Sequence, residues 1–117
     1  MRILFIINDA PYGSEKAFNA LRMARAIQKE RADVEVLIFL MADAVTCALP
    51  SQSVPSGYYN IELMLKAVIG KGAQVRACGA CSEARGLKGS TLVEGVRTST
   101  MSELAQWTIE ADKVLTF

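Results

Sequence analysis

The stretches ILFII at residues 3–7 and VEVLIFL at residues 34–40 decide the fold of this chain. The first is a continuous apolar run, the second is apolar apart from Glu35, and both are rich in β-branched side chains, as is typical of strands buried on both faces of a parallel sheet. Between them, apolar side chains keep the spacing of one helix face: Ala17, Ala20, Leu21, Ala24 and Ile27. Ser14 is predicted to cap this helix, which should end near Glu30, so the chain opens with a β-α-β unit.

The rest of the chain continues this alternation. Further elements are predicted in chain order: a helix opening at Asn60, a strand at Gln74–Ala77, a short extended piece within Val93–Arg97, a helix opened by the capping box Thr100–Glu103, and a strand at Lys113–Phe117. Asp43–Tyr59 is predicted to be a long irregular stretch, of the kind that is usually functional or bridges subunits. We therefore predict one α/β domain over residues 1–117, a three-layer sandwich around a mostly parallel sheet of about five strands.

Composition narrows the classes of function. The 117 residues carry 13 basic and 12 acidic side chains, so the net charge of +1 leaves no basic excess for a run of phosphates. A dedicated nucleic-acid-binding role is therefore not expected. The longest apolar run, Val36–Ala42, is far shorter than the about 20 residues that span a membrane, and Ile3–Ile7 is too short for the core of a signal peptide. We expect a cytoplasmic protein with reduced thiols and no membrane association.

The chain contains no histidine. This excludes Ser-His-Asp and Cys-His catalysis, metal sites built on histidine, and the usual general base near neutral pH. Cysteine is the best nucleophile that remains. The sequence predicts no cofactor and no bound metal.

Cys78 and Cys81 form a C-x-x-C pair directly after the third predicted strand. A thiol at that position meets the N-terminus of a following helix, which lowers its pKa, and Arg76 and Arg85 add positive charge. The spacing suits a redox dithiol, half of a zinc site, a single reactive thiol with a bystander, or two packed hydrophobic side chains. The zinc interpretation is the weakest of these, because the chain offers no second pair of ligands.

Three loops leave the carboxyl ends of the predicted strands, at residues 8–13, 41–57 and 78–86. Ligands of open α/β sheets bind at this edge, so any site should draw on these loops. The residues of a predicted pocket come from the first two loops and the helix start that follows the first: Asn8, Tyr12, Gly13, Ser14 and Asp43. Cys47 lies in the second loop among apolar neighbours and is interpreted as a packed cysteine.

Five segments spread over the whole chain carry a family resemblance. They are NDAPYGSEKAFNALRMA from Asn8, FLMADAV from Phe39, GYYNIELML from Gly57, the C-x-x-C-x-x-x-RG motif from Cys78 to Gly86, and MSELAQWTIEADKVLTF from Met101. The last segment is the most specific. With these residues the chain resembles the DsrE/DsrF-like family, and most closely its YchN-like subgroup.

The resemblance implies a DsrE-like α/β sandwich with a flavodoxin-like arrangement, assembled into homo-oligomers that are typically trimers or hexamers. It also implies a role in sulfur relay, in which a cysteine accepts sulfane sulfur as a persulfide from a donor protein and passes it to an acceptor protein. Cys78 resembles that cysteine, Cys81 resembles the second cysteine of the motif, and Arg85 with Gly86 resembles its RG end.

The leading hypothesis assigns the sulfur to Cys78, resolution of the persulfide as a disulfide to Cys81, and a lowering of the thiolate's pKa to Arg85. The first alternative is an oligomeric small-molecule-binding or interaction module without thiol chemistry, built from the loops at residues 8–14 and 41–57. The second alternative is a C-x-x-C thiol-disulfide redox protein. The sequence leaves open whether the protein is an enzyme.

Overall fold

A computed structural model describes every residue of the chain, from Met1 to Phe117. It contains five strands, four α-helices and one 3₁₀ helix. Their bounds in chain order are β1 Arg2–Ile7, α1 Lys16–Glu30, β2 Glu35–Leu40, the 3₁₀ helix Ala42–Ala48, α2 Ile61–Gly70, β3 Gln74–Cys78, α3 Gly79–Ala84, β4 Val96–Ser99, α4 Met101–Glu110 and β5 Lys113–Thr116. None of the helices combines the length and the apolar content that crossing a bilayer requires.

The five strands form one parallel sheet in the order β4-β3-β2-β1-β5. The predicted α/β fold around a parallel sheet is confirmed. From β1 the chain moves outward to β4 and then crosses back to place β5 on the other side of β1, an order that differs in detail from the 2-1-3-4-5 order of flavodoxin itself. The carboxyl ends of all strands lie at one edge, where the loops after β1, β2 and β3 meet.

Helices cover both faces of the sheet. α1 and α2 pack together on one face, where Gln28 Nε2 donates a hydrogen bond to the Val68 carbonyl oxygen at 3.0 Å. α4 covers the opposite face, where the Trp107 ring meets the Phe39 ring edge-on with 6.1 Å between their centroids. Both faces of β2 are therefore buried, which explains why residues 36–40 are all apolar.

Two predictions about local structure were wrong. α1 begins at Lys16, and Ser14 lies outside the cap: its hydroxyl accepts a hydrogen bond from the Lys16 N–H at 3.2 Å and donates one to Asp9 Oδ2 at 2.7 Å. The first part of the stretch predicted to be irregular is the 3₁₀ helix Ala42–Ala48. Its seven residues are too few to display a helical period, so the sequence pattern gave no sign of it.

The predicted start of α2 is confirmed at Asn60, whose Oδ1 accepts a hydrogen bond from the Leu63 N–H at 3.1 Å. We expect Asn60→Ala to lower the free energy of unfolding by about 1 kcal/mol, because a first-turn N–H loses its partner. Urea unfolding measures this change, with Ser56→Ala at an exposed loop residue as the control. A loss no larger than that of the control would contradict the capping role of Asn60.

Candidate functional site

β3 delivers the two motif cysteines to the carboxyl edge of the sheet. The strand ends at Cys78, which is also the N-cap of α3, and Cys78 Sγ accepts a hydrogen bond from the Cys81 N–H at 3.1 Å. The Ser82 hydroxyl donates to the Cys78 carbonyl oxygen at 2.9 Å and so fixes the turn. Cys78 is only 6% exposed, whereas Cys81 is half-buried, so Cys81 is the thiol nearer to solvent.

Gly79 lets β4 approach this turn closely. A Cβ at Gly79 would lie 3.0 Å from the Ser99 carbonyl oxygen and 3.1 Å from Thr98 Cγ2, so a larger residue requires the end of β4 to shift. Cys78 and Ser99 are paired positions of β3 and β4, and paired side chains project from the same face of a sheet. The C-x-x-C turn is therefore packed against the neighbouring strand.

The electrostatics of Cys78 differ from the expectation based on sequence. Burial raises the pKa of the Cys78 thiol and the adjacent Cys81 thiol raises it further, while the backbone N–H groups of Cys81 and Ala80 lower it. The net direction of the pKa shift is upward, so the predicted lowering at Cys78 was wrong for this chain by itself. The reason is that loss of water around a thiolate outweighs two amide hydrogen bonds.

Arg85 joins the end of α3 to the 3₁₀ helix and makes no hydrogen bond to the Cys78 thiol. Its Nε and Nη2 donate hydrogen bonds to Asp43 Oδ1 at 2.9 and 2.8 Å, and its Nη1 donates one to the Cys81 carbonyl oxygen at 3.1 Å. The groups that shift the pKa of Cys78 are its own burial and its neighbours in α3, so the predicted role of Arg85 needs correction. Arg76 is also engaged elsewhere, because its Nε donates to Glu103 Oε1 at 2.8 Å.

Asp43 is the one residue of the predicted pocket that a hydrogen bond ties to the cysteine motif, through Arg85. Tyr12 has a different partner: its hydroxyl oxygen accepts a hydrogen bond from the Ile61 N–H at 3.0 Å and so helps to start α2. The Tyr12 ring also packs against the ring of Tyr59, with 5.6 Å between centroids. Tyr12 therefore joins the first loop to α2 and not to the cysteines.

The remaining residues of the predicted pocket, Asn8, Gly13 and Ser14, lie along the first loop. The Asn8 side-chain amide donates a hydrogen bond to the Phe117 carbonyl oxygen at 3.3 Å. Gly13 is exposed, and a Cβ added there would make only an ordinary contact, 3.8 Å from Ala10 Cβ. One cavity of about 920 Å³ lies between α1 and α2 and another of about 310 Å³ lies beside the start of β1, both away from this edge. Neither cavity is lined by a residue of the predicted pocket.

Cys47 packs in the core, as the sequence predicted. It is 2% exposed in the 3₁₀ helix, and its thiol lies 3.7 Å from the Asp9 carbonyl oxygen. Burial raises the pKa of the Cys47 thiol from an ordinary 9.0 to about 12. Its thiolate is therefore scarce at neutral pH, and the group has no accessible chemistry there.

The raised pKa of Cys47 makes stability depend on pH. The thiol is protonated in both states below pH 9, but above that pH the unfolded chain releases its proton first, so the free energy of unfolding falls until the folded thiol titrates near 12. Between pH 8 and 10 we expect wild type to lose about 1.4 kcal/mol more than Cys47→Ala loses. Urea unfolding of both proteins measures the difference, and parallel pH profiles would contradict the burial of this thiol.

Ser99 is the residue at this edge that the sequence analysis missed. It ends β4, is 8% exposed, and carries a buried hydroxyl that has no hydrogen-bond partner in the chain. Its place beside Cys78 depends on the register of β4 against β3, and no local pattern in residues 96–99 indicates that register. The signal that identifies Ser99 appears only once the strands are paired.

Comparisons with known proteins agree with this architecture. Protein YchN of Escherichia coli strain K12 is 44% identical over 116 residues, which cover 99% of this chain and 98% of that protein. Protein MJ0989 of Methanocaldococcus jannaschii is 43% identical over 117 residues, the full length of both. The crystal structure of E. coli YchN matches with a TM-score of 0.95 over 100% of this chain and 99% of that one.

A more distant structure shares the fold alone. MTH1491 of Methanobacterium thermoautotrophicum, a protein of unknown function, is 17% identical and matches with a TM-score of 0.80 over 99% of this chain and 98% of that one. The profile of the DsrE/DsrF-like family matches residues 1–117. On this match and on the identity to YchN, the chain belongs to the DsrE/DsrF-like family.

Proposed function

We propose that this protein is a sulfur-relay carrier that accepts sulfane sulfur as a persulfide on Cys78 and passes it to an acceptor protein. The observation that carries the proposal is the pair of thiols in one turn at the carboxyl edge of the sheet, where Cys78 Sγ accepts the Cys81 N–H at 3.1 Å. In proteins with open parallel α/β sheets, ligands bind at this edge. Persulfide transfer also suits a chain without histidine, because it needs only a nucleophilic thiol.

The proposed loading step is a thiol exchange. The Cys78 thiolate attacks the outer sulfur of a donor persulfide, the new S–S bond forms as the donor S–S bond breaks, and the donor leaves as a thiolate that takes up the proton lost by Cys78. Unloading repeats the step with an acceptor thiolate as the attacking group, so neither direction consumes an oxidant or a reductant. If Cys81 attacks Cys78 Sγ instead, hydrosulfide leaves and a Cys78–Cys81 disulfide remains, which a thiol reductant reopens.

The burial of Cys78 has a direct kinetic consequence for this step. Because burial raises the pKa of the Cys78 thiol, the reactive thiolate is a minor species at neutral pH and loading should accelerate as pH rises. Arg85 therefore positions the C-x-x-C turn and does not lower the pKa of the Cys78 thiol. Its hydrogen bonds to Asp43 and to the Cys81 carbonyl oxygen hold the 3₁₀ helix against α3 and keep the turn in place.

Association of subunits is part of the proposal. α4 and β5 expose large apolar side chains. They are Met101, Ile109, which is 82% exposed, and Val114. A homo-oligomer, a trimer or a hexamer, would cover such side chains. Light scattering of wild type and Ile109→Glu tests this, with a fall in mass expected for the variant and a monomeric wild type contradicting it.

A second candidate function is an interaction module without thiol chemistry. The observation in its favour is that Cys78 is buried and has a raised pKa, as a packed cysteine does. A thiol-disulfide redox protein is the third candidate, since the same turn holds both thiols. The three candidates differ in what becomes attached to Cys78.

The intact mass of the protein under non-reducing conditions, after incubation with a cysteine desulfurase and cysteine, decides between these candidates. We expect added mass in whole sulfur atoms that reduction removes and that peptide mapping locates at Cys78. Cys47→Ala is the matched control and should load as wild type does, because Cys47 packs in the core. No added mass with slow alkylation of Cys78 would favour the interaction module, and a Cys78–Cys81 disulfide without added sulfur would favour the redox protein.

A further inference from the structure

The end of β4 places an unused hydroxyl beside the cysteine that carries sulfur in the proposed function. Ser99 and Cys78 are paired positions of neighbouring parallel strands, so their side chains project from the same face at a strand separation of about 4.8 Å. Both side chains are buried. The close approach of the Ser99 carbonyl oxygen to Gly79 keeps the two strand ends together.

The Ser99 hydroxyl is the polar group around Cys78 that has nothing to bind. The Ser82 hydroxyl donates to the Cys78 carbonyl oxygen, and the Cys81 N–H donates to Cys78 Sγ, but Ser99 Oγ has no hydrogen-bond partner in the chain. Buried polar groups are almost always paired, so an exception requires an explanation. Folding alone does not supply one, because alanine would fill the position without burying an unpaired hydroxyl.

We propose that Ser99 is a sulfur-binding residue, whose hydroxyl donates a hydrogen bond to the outer sulfur of the Cys78 persulfide. The inference rests on the proposed function. A sulfur–sulfur bond adds an atom about 2 Å beyond Cys78 Sγ and so extends this side chain on the face that it shares with Ser99. The outer sulfur of an ionised persulfide is an anion, and hydrogen bonds to anions are among the stronger ones. Loading thus pairs the hydroxyl that the unloaded chain leaves unpaired.

Equilibrium loading from glutathione persulfide tests this inference. Intact mass, measured at fixed ratios of glutathione persulfide to glutathione, gives the equilibrium constant for transfer of one sulfur atom to the protein. We expect Ser99→Ala to lower that constant about tenfold, the effect of losing one hydrogen bond to an anion. Ser99→Thr keeps the hydroxyl and should restore loading, and Ser102→Ala, at an exposed serine of α4, should load as wild type does.

Thermal unfolding of the same proteins separates sulfur binding from a structural role. We expect unloaded Ser99→Ala to unfold at the wild-type temperature or above, because it removes an unpaired buried hydroxyl. Equal loading of Ser99→Ala and wild type would overturn the inference about Ser99 and leave the proposed function standing. A loading defect that accompanies a lower Tm and persists in Ser99→Thr would also overturn it, by showing a structural role. If wild type takes up no sulfur at any ratio, the proposed function fails first and this inference falls with it.

Discussion

Cys78→Ser should take up no sulfur from a desulfurase and cysteine, against one or more sulfur atoms per chain for wild type. A serine hydroxyl is not ionised at neutral pH and does not form a stable bond to sulfane sulfur, so the transfer step is lost completely. Intact mass under non-reducing conditions measures the difference. The fold should survive, because serine preserves the shape of the cysteine and its oxygen is able to accept the Cys81 N–H in the same cap position.

Cys81→Ser is the matched variant for this prediction. It should still load, because the attacking sulfur is Cys78, and it should retain the sulfur longer, because no neighbouring thiol releases it as hydrosulfide. Loading that persists in Cys78→Ser but disappears in Cys81→Ser would transfer the carrier role to the more exposed cysteine. Loading that persists in both single variants would contradict the proposal that one motif cysteine is the carrier.

Trp107→Ala should lower the free energy of unfolding by about 3–5 kcal/mol, a large part of the about 5–15 kcal/mol available to a domain. Trp107 is 9% exposed and is the large side chain through which α4 meets the sheet. Its removal leaves a cavity above Phe39. It also removes the ring whose centroid lies 5.3 Å from Arg76 Cζ, so the buried Arg76 guanidinium loses a cation–π interaction.

Far-UV circular dichroism in urea measures this loss, because the variant has no tryptophan left to report by fluorescence. Trp107→Phe keeps an aromatic ring and should lose less than half as much. Gln106→Ala, at the exposed neighbouring position, should stay close to wild type. A loss below about 1 kcal/mol for Trp107→Ala would mean that α4 is not anchored by this side chain.

Local sequence patterns were sufficient to predict most of the fold. The continuous apolar runs at residues 3–7 and 36–40 mark strands that are covered on both faces, and the structure buries most of their residues. Asn60 and Thr100 mark helix starts because each side chain accepts a first-turn N–H, which is a local interaction. The position of β5 beside β1 is a different matter, since it depends on which strand edge remains free after the others have paired.

The candidate site was predicted only in part, and the physical reason is distance along the chain. Cys78 and Cys81 are recognisable from their spacing, and their turn depends on neighbours within four residues. Arg85 pairs with Asp43 of the 3₁₀ helix, and Ser99 is placed opposite Cys78 by strand register. The direction of the pKa shift at Cys78 follows from burial, which no residue type near position 78 encodes.

The position of β1 between β2 and β5 has a consequence for synthesis of the chain. β1 pairs with β2 early, but its second edge waits for β5, whose register joins Ile3 to Lys113. While the ribosome is still adding the intervening residues, that edge has unpaired N–H and C=O groups that are able to pair with a strand of another chain. Folding therefore completes only after translation has passed residue 116, and a ribosome that stalls before Lys113 leaves a chain prone to aggregate through β1.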